Sequence, residues 1–163
     1  KIIVEKSLYY FNYHNKLDYV VLRVANAFGP RDPEYIRQGV ISTWLKAYFK
    51  GSALKLYGDG KQIRDYIYIT DIVKALTIVM NKKCDHFVYN LGSGIGHSLS
   101  DILNVIEDCL NQKLNIENIQ FNKHDVNSNI LKTDRFRSEF DWEAECSLKD
   151  GISQMVNFYH GKL

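Results

Sequence analysis

Apolar residues recur along this chain with two periods, one typical of helices and one of strands. Within residues 1–15 they follow helical spacing, at Ile3, Val4, Leu8 and Phe11. Residues 19–22 are a continuous apolar run rich in β-branched side chains. Such a run favours a strand covered on both faces, as in a parallel sheet. We therefore predict an amphipathic helix followed by a buried strand.

The same patterns continue to the end of the chain. Further strands are predicted at residues 54–57, 66–69, 87–91 and 116–121. Helices are predicted at residues 41–50, 72–80, 99–110, 135–140 and 148–159. Because strands and helices alternate, the chain is assigned to the α/β class.

Turn and capping residues mark where these elements begin and end. Residues 58–60, Gly-Asp-Gly, predict a tight reversal, because Asp and Gly adopt turn conformations that other residues resist. Helix N-caps are predicted at Thr70 or Asp71, at Ser98 with Asp101, and at Ser147 with Asp150.

Composition narrows the classes of function. The 163 residues are about one domain, and 21 basic against 19 acidic side chains give no reason to expect a nucleic-acid partner. No apolar run is as long as a membrane span, so no membrane partner is expected. The five histidines and three cysteines lack the spacing of metal ligands, so no metal is expected. Three distant cysteines indicate a reducing compartment, and we expect a cytoplasmic protein.

Arg64 is the first candidate for ligand binding. It lies where a loop becomes a strand, and an arginine side chain can bind phosphate through two parallel hydrogen bonds. The alternative is a surface ion pair with Asp65 or Asp59, which is the safer interpretation for a single arginine.

Two further candidates lie at strand ends. Asn26 follows a predicted buried strand, where α/β folds bind ligands, although an asparagine often only stabilises its own loop. The loop at residues 92–96 precedes a helix, which invites a phosphate-binding interpretation. It lacks the G-x-G-x-x-G spacing and the later acidic residue of dinucleotide sites, so we favour a turn leading to a capped helix.

Two segments together change this interpretation. LRVANAFGPR at residues 22–31, followed by LYGDG and RDYIYITDI at residues 56–60 and 64–72, resembles the C-terminal half of the NAD-dependent sugar-nucleotide epimerase/dehydratase family. These are extended short-chain dehydrogenases/reductases, with UDP-galactose 4-epimerases among the closest in pattern. The likeness continues through YNLGSG at residues 89–94 and into the last helices, so it covers nearly the whole chain.

The resemblance implies a role for the first residue. In this family a catalytic Tyr-x-x-x-Lys is followed by a glutamate four residues after the lysine, and then by a strand ending in Leu-Arg. Lys1, Glu5 and Arg23 fall in that register. The resemblance thus implies that Lys1 is the catalytic lysine that also holds the nicotinamide ribose of NAD; the alternative is an ordinary exposed lysine. Its ammonium would favour the phenolate of a tyrosine lying just upstream.

The resemblance also implies a substrate site. Asn26 and Arg64 match residues near the diphosphate, Val40 and Ile41 match the backbone segment near the base, and Tyr57 matches an aromatic packed against the base, although a core aromatic would also fit that strand position. Many relatives carry a second diphosphate arginine where this chain reads FNKHDV, at residues 121–126. Lys123 could replace it as a point charge, without the bidentate geometry.

The implied architecture is the C-terminal part of an extended Rossmann fold plus a small substrate-binding lobe. Residues 1–25 and 66–92 are expected to be Rossmann-derived, and residues 26–65 and 93–163 to form the lobe. The NAD-binding part would precede Lys1, where no initiator methionine stands; a fragment, a processed chain or an expression scar would each explain this. We expect an inactive fragment that exposes apolar edges and self-associates, and a homodimer of the full-length protein.

The implied reaction begins with oxidation of a nucleotide-diphosphate sugar at C4 by NAD, which gives a 4-keto intermediate. A 4-epimerase acting on a UDP-sugar is the first hypothesis, and a 4,6-dehydratase is the alternative within the family. A sugar-nucleotide or dinucleotide sensor without catalysis, and a structural subunit completed by another chain, remain open from the sequence.

Overall fold

The computed structural model describes residues 1–32, 34, 38–120 and 126–162. Its helices are α1 (Ile2–Asn15), α2 (Val40–Phe49), α3 (Ile69–Asn81), α4 (Leu99–Leu110), α5 (Asp134–Phe140) and α6 (Leu148–His160). Its strands are β1 (Val21–Val24), β2 (Asn26–Phe28), β3 (Leu54–Tyr57), β4 (Ile63–Tyr68), β5 (Val88–Leu91), β6 (Gly96–Ser98), β7 (Ile116–Ile119) and β8 (Ser128–Asn129). The predicted α/β class is confirmed.

The described strands form three small sheets, and β4 is the centre of the largest. Strand β4 pairs in parallel with β2 and β8 and antiparallel with β6. Strands β1 and β5 form a parallel pair, as do β3 and β7. Arg64 is the second residue of β4, opposite His97 of β6 and Asn129 of β8, so the strand begins three residues earlier than the predicted start at residue 66.

The reversal at residues 58–60 has the backbone that the sequence predicts, because Gly58 and Gly60 have φ of 83° and 75°. The strands on its two sides do not pair with each other. Strand β3 pairs with β7, and β4 belongs to the central sheet. The turn thus carries the chain from one sheet to another.

The capping predictions have different outcomes. Ser98 with Asp101 forms a complete capping box, and the Ser147 side chain accepts from the Asp150 N–H, as predicted. The cap at Thr70 or Asp71 is wrong, because β4 runs directly into α3 and Tyr68 is the residue before the helix. Asp71 is 1% exposed, and its carboxylate accepts instead from the Cys146 N–H at 3.0 Å.

Two hydrophobic clusters hold these elements together. The first joins α2, α4 and α6 to the central sheet and to β3, with Leu45, Ile106 and Ile152 among its fully buried members. The second joins β1, β5, α3 and α5, with Tyr89 and Phe136 at its centre. Burial of these apolar surfaces is the main favourable term in folding.

Helix α1 and strand β1 lie outside these clusters for much of their length. No residue of α1 is buried, and its exposed side chains are largely apolar or aromatic, including Ile2, Ile3, Tyr9 and Tyr13. In β1 the side chains of Arg23 and Val24 are exposed. The predicted run at residues 19–22 is half-buried and not fully covered, and the exposed Arg23 and Val24 lie beyond it.

The turn after α5 offers a test of local backbone strain. Asp141 has φ 49° and lies between two buried aromatics, Phe140 and Trp142. Left-handed backbone is unfavourable for a residue with a Cβ, so Asp141→Gly should raise the free energy of unfolding by about 0.5 kcal/mol. Chemical denaturation measures this change. Asp141→Ala is the control, and an equal gain from alanine would contradict the explanation.

Candidate functional site

A cleft of about 1010 Å³ opens beside the junction of β1 and β2. Six predicted site residues line it together: Lys1, Asn26, Val40, Ile41, Tyr57 and Arg64. They come from β2, α2, β3 and β4, and from the residue that precedes α1. The seventh, Lys123, lies outside the described residues. The fold thus brings distant segments of the chain to one concave surface, the usual form of a small-molecule site.

A bidentate ion pair connects α1 to the sheet near Lys1. Arg23 donates to both carboxylate oxygens of Glu5, from Nε at 3.1 Å and from Nη2 at 2.6 Å. The hydrogen bond to Arg23 is the main reason that the pKa of Glu5 lies below its ordinary value. Because Glu5 is one helical turn after Lys1, this pair orients the end of α1 that reaches the cleft.

Asn26 holds two strands together at the edge of the cleft. Its Nδ2 donates to the main-chain oxygen of Asp65 at 3.0 Å, which joins β2 to β4. The sequence left open whether Asn26 binds a ligand or only its own loop. The observed partner is on another strand, and the exposed side chain lies in the cleft wall.

Two main-chain oxygens hold the Arg64 guanidinium. Its Nη1 donates to the main-chain oxygens of Ile63 at 2.8 Å and Val126 at 2.6 Å. The acids considered as surface partners interact elsewhere: Asp59 lies 3.7 Å from Lys61 Nζ, and the Asp65 carboxylate accepts from the Ser93 and Gly94 N–H groups. Arg64 is half-buried in the cleft wall, where a cation is well placed to attract an anionic group.

The residues expected near the base, Val40, Ile41 and Tyr57, lie on α2 and β3. Tyr57 is 48% exposed at the end of β3, so the alternative of a core aromatic is wrong. Val40 opens α2 beside Gly39, while the Ile41 side chain is buried in the first hydrophobic cluster. A flat aromatic face and the start of a helix thus border the same cleft.

Gln62 and Tyr66 are among the cleft residues that the sequence did not predict. Gln62 and Tyr66 flank Arg64 at a spacing of two and line the cleft with it. Alternation along a strand places such residues on one face, so the period-two pattern around Arg64 could have found them. Burial raises the pKa of Tyr66 to about 12, against a smaller opposite effect of Arg64. Tyr66 therefore stays protonated at neutral pH and can donate a hydrogen bond but not act as a base.

The glycine loop at residues 92–94 has a different role. Its amides at Ser93 and Gly94 donate to the Asp65 carboxylate, at 2.9 and 3.1 Å. The chain then forms the short strand β6 and enters α4 through the Ser98 cap. The interpretation as a turn leading to a capped helix is confirmed, with β6 as an element that the sequence did not predict.

Within the part of the chain that the structure describes, no helix combines the length and apolar character needed to cross a bilayer.

Comparison with known proteins relates this chain to a family of enzymes. Residues 1–92 match the model of the NAD dependent epimerase/dehydratase family. The UDP-glucuronate 4-epimerase of Thermodesulfobacterium geofontis is 29% identical over 91% of this chain and 46% of its own length. The chain spans about half the length of the curated relatives it matches.

Solved structures show the same relationship. The UDP-glucose 4-epimerase of Thermotoga maritima, solved with UDP-glucose, superposes with a TM-score of 0.90 at 30% identity, over 99% of this chain and 52% of that one. The dTDP-glucose 4,6-dehydratase of Bacillus anthracis, solved with NAD, superposes with a TM-score of 0.84 at 26% identity, over 97% of this chain and 49% of that one. Both likenesses span nearly all of this chain.

Proposed function

Because the chain belongs to the NAD-dependent epimerase/dehydratase family, we propose that it is the substrate-binding half of a nucleotide-sugar 4-epimerase that acts on a UDP-sugar. The observation that carries this proposal is the cleft, which gathers Lys1, Asn26, Tyr57 and Arg64 from four separate segments. The Thermotoga maritima structure supports it, since that protein is a UDP-glucose 4-epimerase solved with UDP-glucose.

In this proposal the cleft holds the nucleotide diphosphate while the sugar reacts. Arg64 offers its guanidinium to the diphosphate, and Asn26 lies beside it. Tyr57 stacks on the base, whose edge meets the backbone at Val40 and Ile41. Lys123 would supply a second positive charge. Anchoring the diphosphate contributes to catalysis by orienting the reacting carbon, which replaces an encounter between free molecules.

Lys1 is the residue of this chain assigned to the chemistry. NAD, when bound, would take up the C4 hydride. The ammonium of Lys1 would hold the nicotinamide ribose and favour the phenolate of an upstream tyrosine, which removes the proton of the 4-hydroxyl. The placement of Lys1 in the cleft wall, on a helix tied to β1 by the Glu5–Arg23 pair, fits this assignment.

The remaining parts of the proposal concern the whole protein. We assign residues 1–25 and 66–92 to a Rossmann-type domain and residues 26–65 and 93–163 to a substrate lobe; the parallel β1–β5 pair in the second cluster supports the first of these. The fragment alone would be inactive. The full-length protein would be a cytoplasmic homodimer, and the exposed apolar side chains of α1 support association with further protein surface.

A 4,6-dehydratase is the second candidate, since the Bacillus anthracis dehydratase shares the fold at 26% identity. Both reactions begin with the same 4-keto intermediate, so their products distinguish them.

The test is to incubate the full-length protein with NAD and, in turn, UDP-glucose, UDP-N-acetylglucosamine and dTDP-glucose. A 4-epimer supports the proposal, and a 4-keto-6-deoxy product supports the dehydratase. Binding of UDP without any product would favour a sensor. The absence of both binding and product would reject the proposal.

A further inference from the structure

Asp65 is a buried acid that contacts three segments of the chain. It is 1% exposed and directly follows Arg64 in β4. Its Oδ1 accepts from the Ser93 N–H at 2.9 Å and from the Ser93 hydroxyl at 2.7 Å. Its Oδ2 accepts from the Gly94 N–H at 3.1 Å and from the Leu131 N–H at 3.3 Å. Burying a carboxylate is costly unless its oxygens are bonded in this way.

These bonds hold in place the chain segment that lies beside Arg64. The bond to Leu131 keeps the segment after residue 126 beside β4, where β8 pairs with Ile63 and Arg64. The same segment supplies the Val126 oxygen to Arg64 Nη1. Asp65 thus anchors the segment that orients the Arg64 guanidinium.

The same residue also holds Asn26. The main-chain oxygen of Asp65 accepts from Asn26 Nδ2 at 3.0 Å. The main chain of Asp65 is paired with Gly96 of β6, and the bonds at both carboxylate oxygens hold the same residue further, so they also help to position Asn26. Two residues of the cleft that would approach a diphosphate therefore depend on one buried carboxylate.

Gly92 provides the space for this carboxylate. A Cβ added there would lie 2.3 Å from Asp65 Oδ2, which is too close for any side chain. The buried position of the Asp65 carboxylate therefore requires a glycine at residue 92.

We infer that Asp65 is the positioning residue of this site: its buried carboxylate sets Arg64 and Asn26 in the geometry that binds the diphosphate of the substrate. This inference rests on the proposed function. Asp65 acts through its neighbours and does not contact the substrate.

Asp65→Asn in the full-length protein tests the inference. The amide keeps the shape but has only one acceptor oxygen, so two of the four donors lose their partner in either orientation. The dissociation constant of UDP, measured by calorimetry, should rise at least fivefold. The KM for the nucleotide sugar should rise in parallel, with kcat within about threefold of the wild type.

Asp71→Asn is the matched control. Asp71 is also 1% exposed and also accepts a main-chain N–H, from Cys146, but it lies on α3 and does not line the cleft. A similar loss of thermal stability is expected, with UDP affinity within twofold of the wild type. If Asp71→Asn weakens UDP binding as much as Asp65→Asn, a general loss of stability explains both, and the positioning role is rejected.

Ser93→Ala covers the case in which Asp65→Asn does not fold. It removes the 2.7 Å hydroxyl bond and leaves the three N–H bonds, so UDP affinity should fall about two- to threefold. Unchanged affinity in Ser93→Ala, or in a folded Asp65→Asn, overturns the inference while the proposed function stands. If the wild type binds no UDP, the proposed function fails and the inference fails with it.

Discussion

Arg64→Ala should raise the KM of the full-length protein for its nucleotide sugar about 10- to 100-fold. A hydrogen bond to a charged group contributes about 1.5–3 kcal/mol, and removal of the guanidinium would leave a buried phosphate oxygen without that partner. The site lies in a concave, partly enclosed cleft, where such bonds are stronger than at an open surface. Steady-state kinetics and UDP titration measure the change.

Two variants sharpen this test. Arg64→Lys keeps the charge but loses the planar group, so it should recover only part of the affinity. Arg135→Ala is the matched control, since Arg135 of α5 donates to the main-chain oxygen of Val88 in β5 and does not line the cleft. An Arg64→Ala protein with an unchanged KM would remove Arg64 from the site.

The second large effect concerns stability. Leu45→Ala should lower the free energy of unfolding by about 3 kcal/mol, because it deletes a fully buried side chain and leaves a cavity. Leu45 is 0% exposed on α2, the helix that carries Val40 and Ile41 to the cleft. Urea denaturation followed by circular dichroism measures the loss, which is a large part of the stability of a typical domain.

Leu76→Ala is the corresponding control. Leu76 is 43% exposed on α3, so its truncation should change stability by about 0.5 kcal/mol or less. Equal losses in the two variants would show that α2 does not pack into the first hydrophobic cluster as described.

Elements with a strong local signal were predicted well. Helix α4 combines an amphipathic pattern with a capping box, and both are local properties of residues 98–110. The observed helix begins at Leu99 as predicted. The failed cap before α3 shows the limit of the same reasoning. Thr70 and Asp71 have the residue types of a cap, but the packing of β4 against its neighbours brings Tyr68 to the start of the helix.

The sequence pattern could not predict which strands pair with each other. The residues around the turn at 58–60 read as two strands, yet each finds its partner far along the chain, in β7 and in β2, β6 and β8. The short strands β6 and β8 are recognised by their pairing with β4. Three or two residues are too few for a periodic pattern to be recognised.

The sequence by itself determined the class of the fold, most helix and strand positions and the residues that resemble a family site. Those properties depend on side chains close together in the chain, so a local pattern records them. Only the tertiary structure decided that Lys1, Asn26, Tyr57 and Arg64 share one cleft. It alone also showed that the Asp65 carboxylate accepts hydrogen bonds from Ser93 and Leu131, which are 28 and 66 residues away in the sequence. Contacts at such separations depend on the packing of the whole chain.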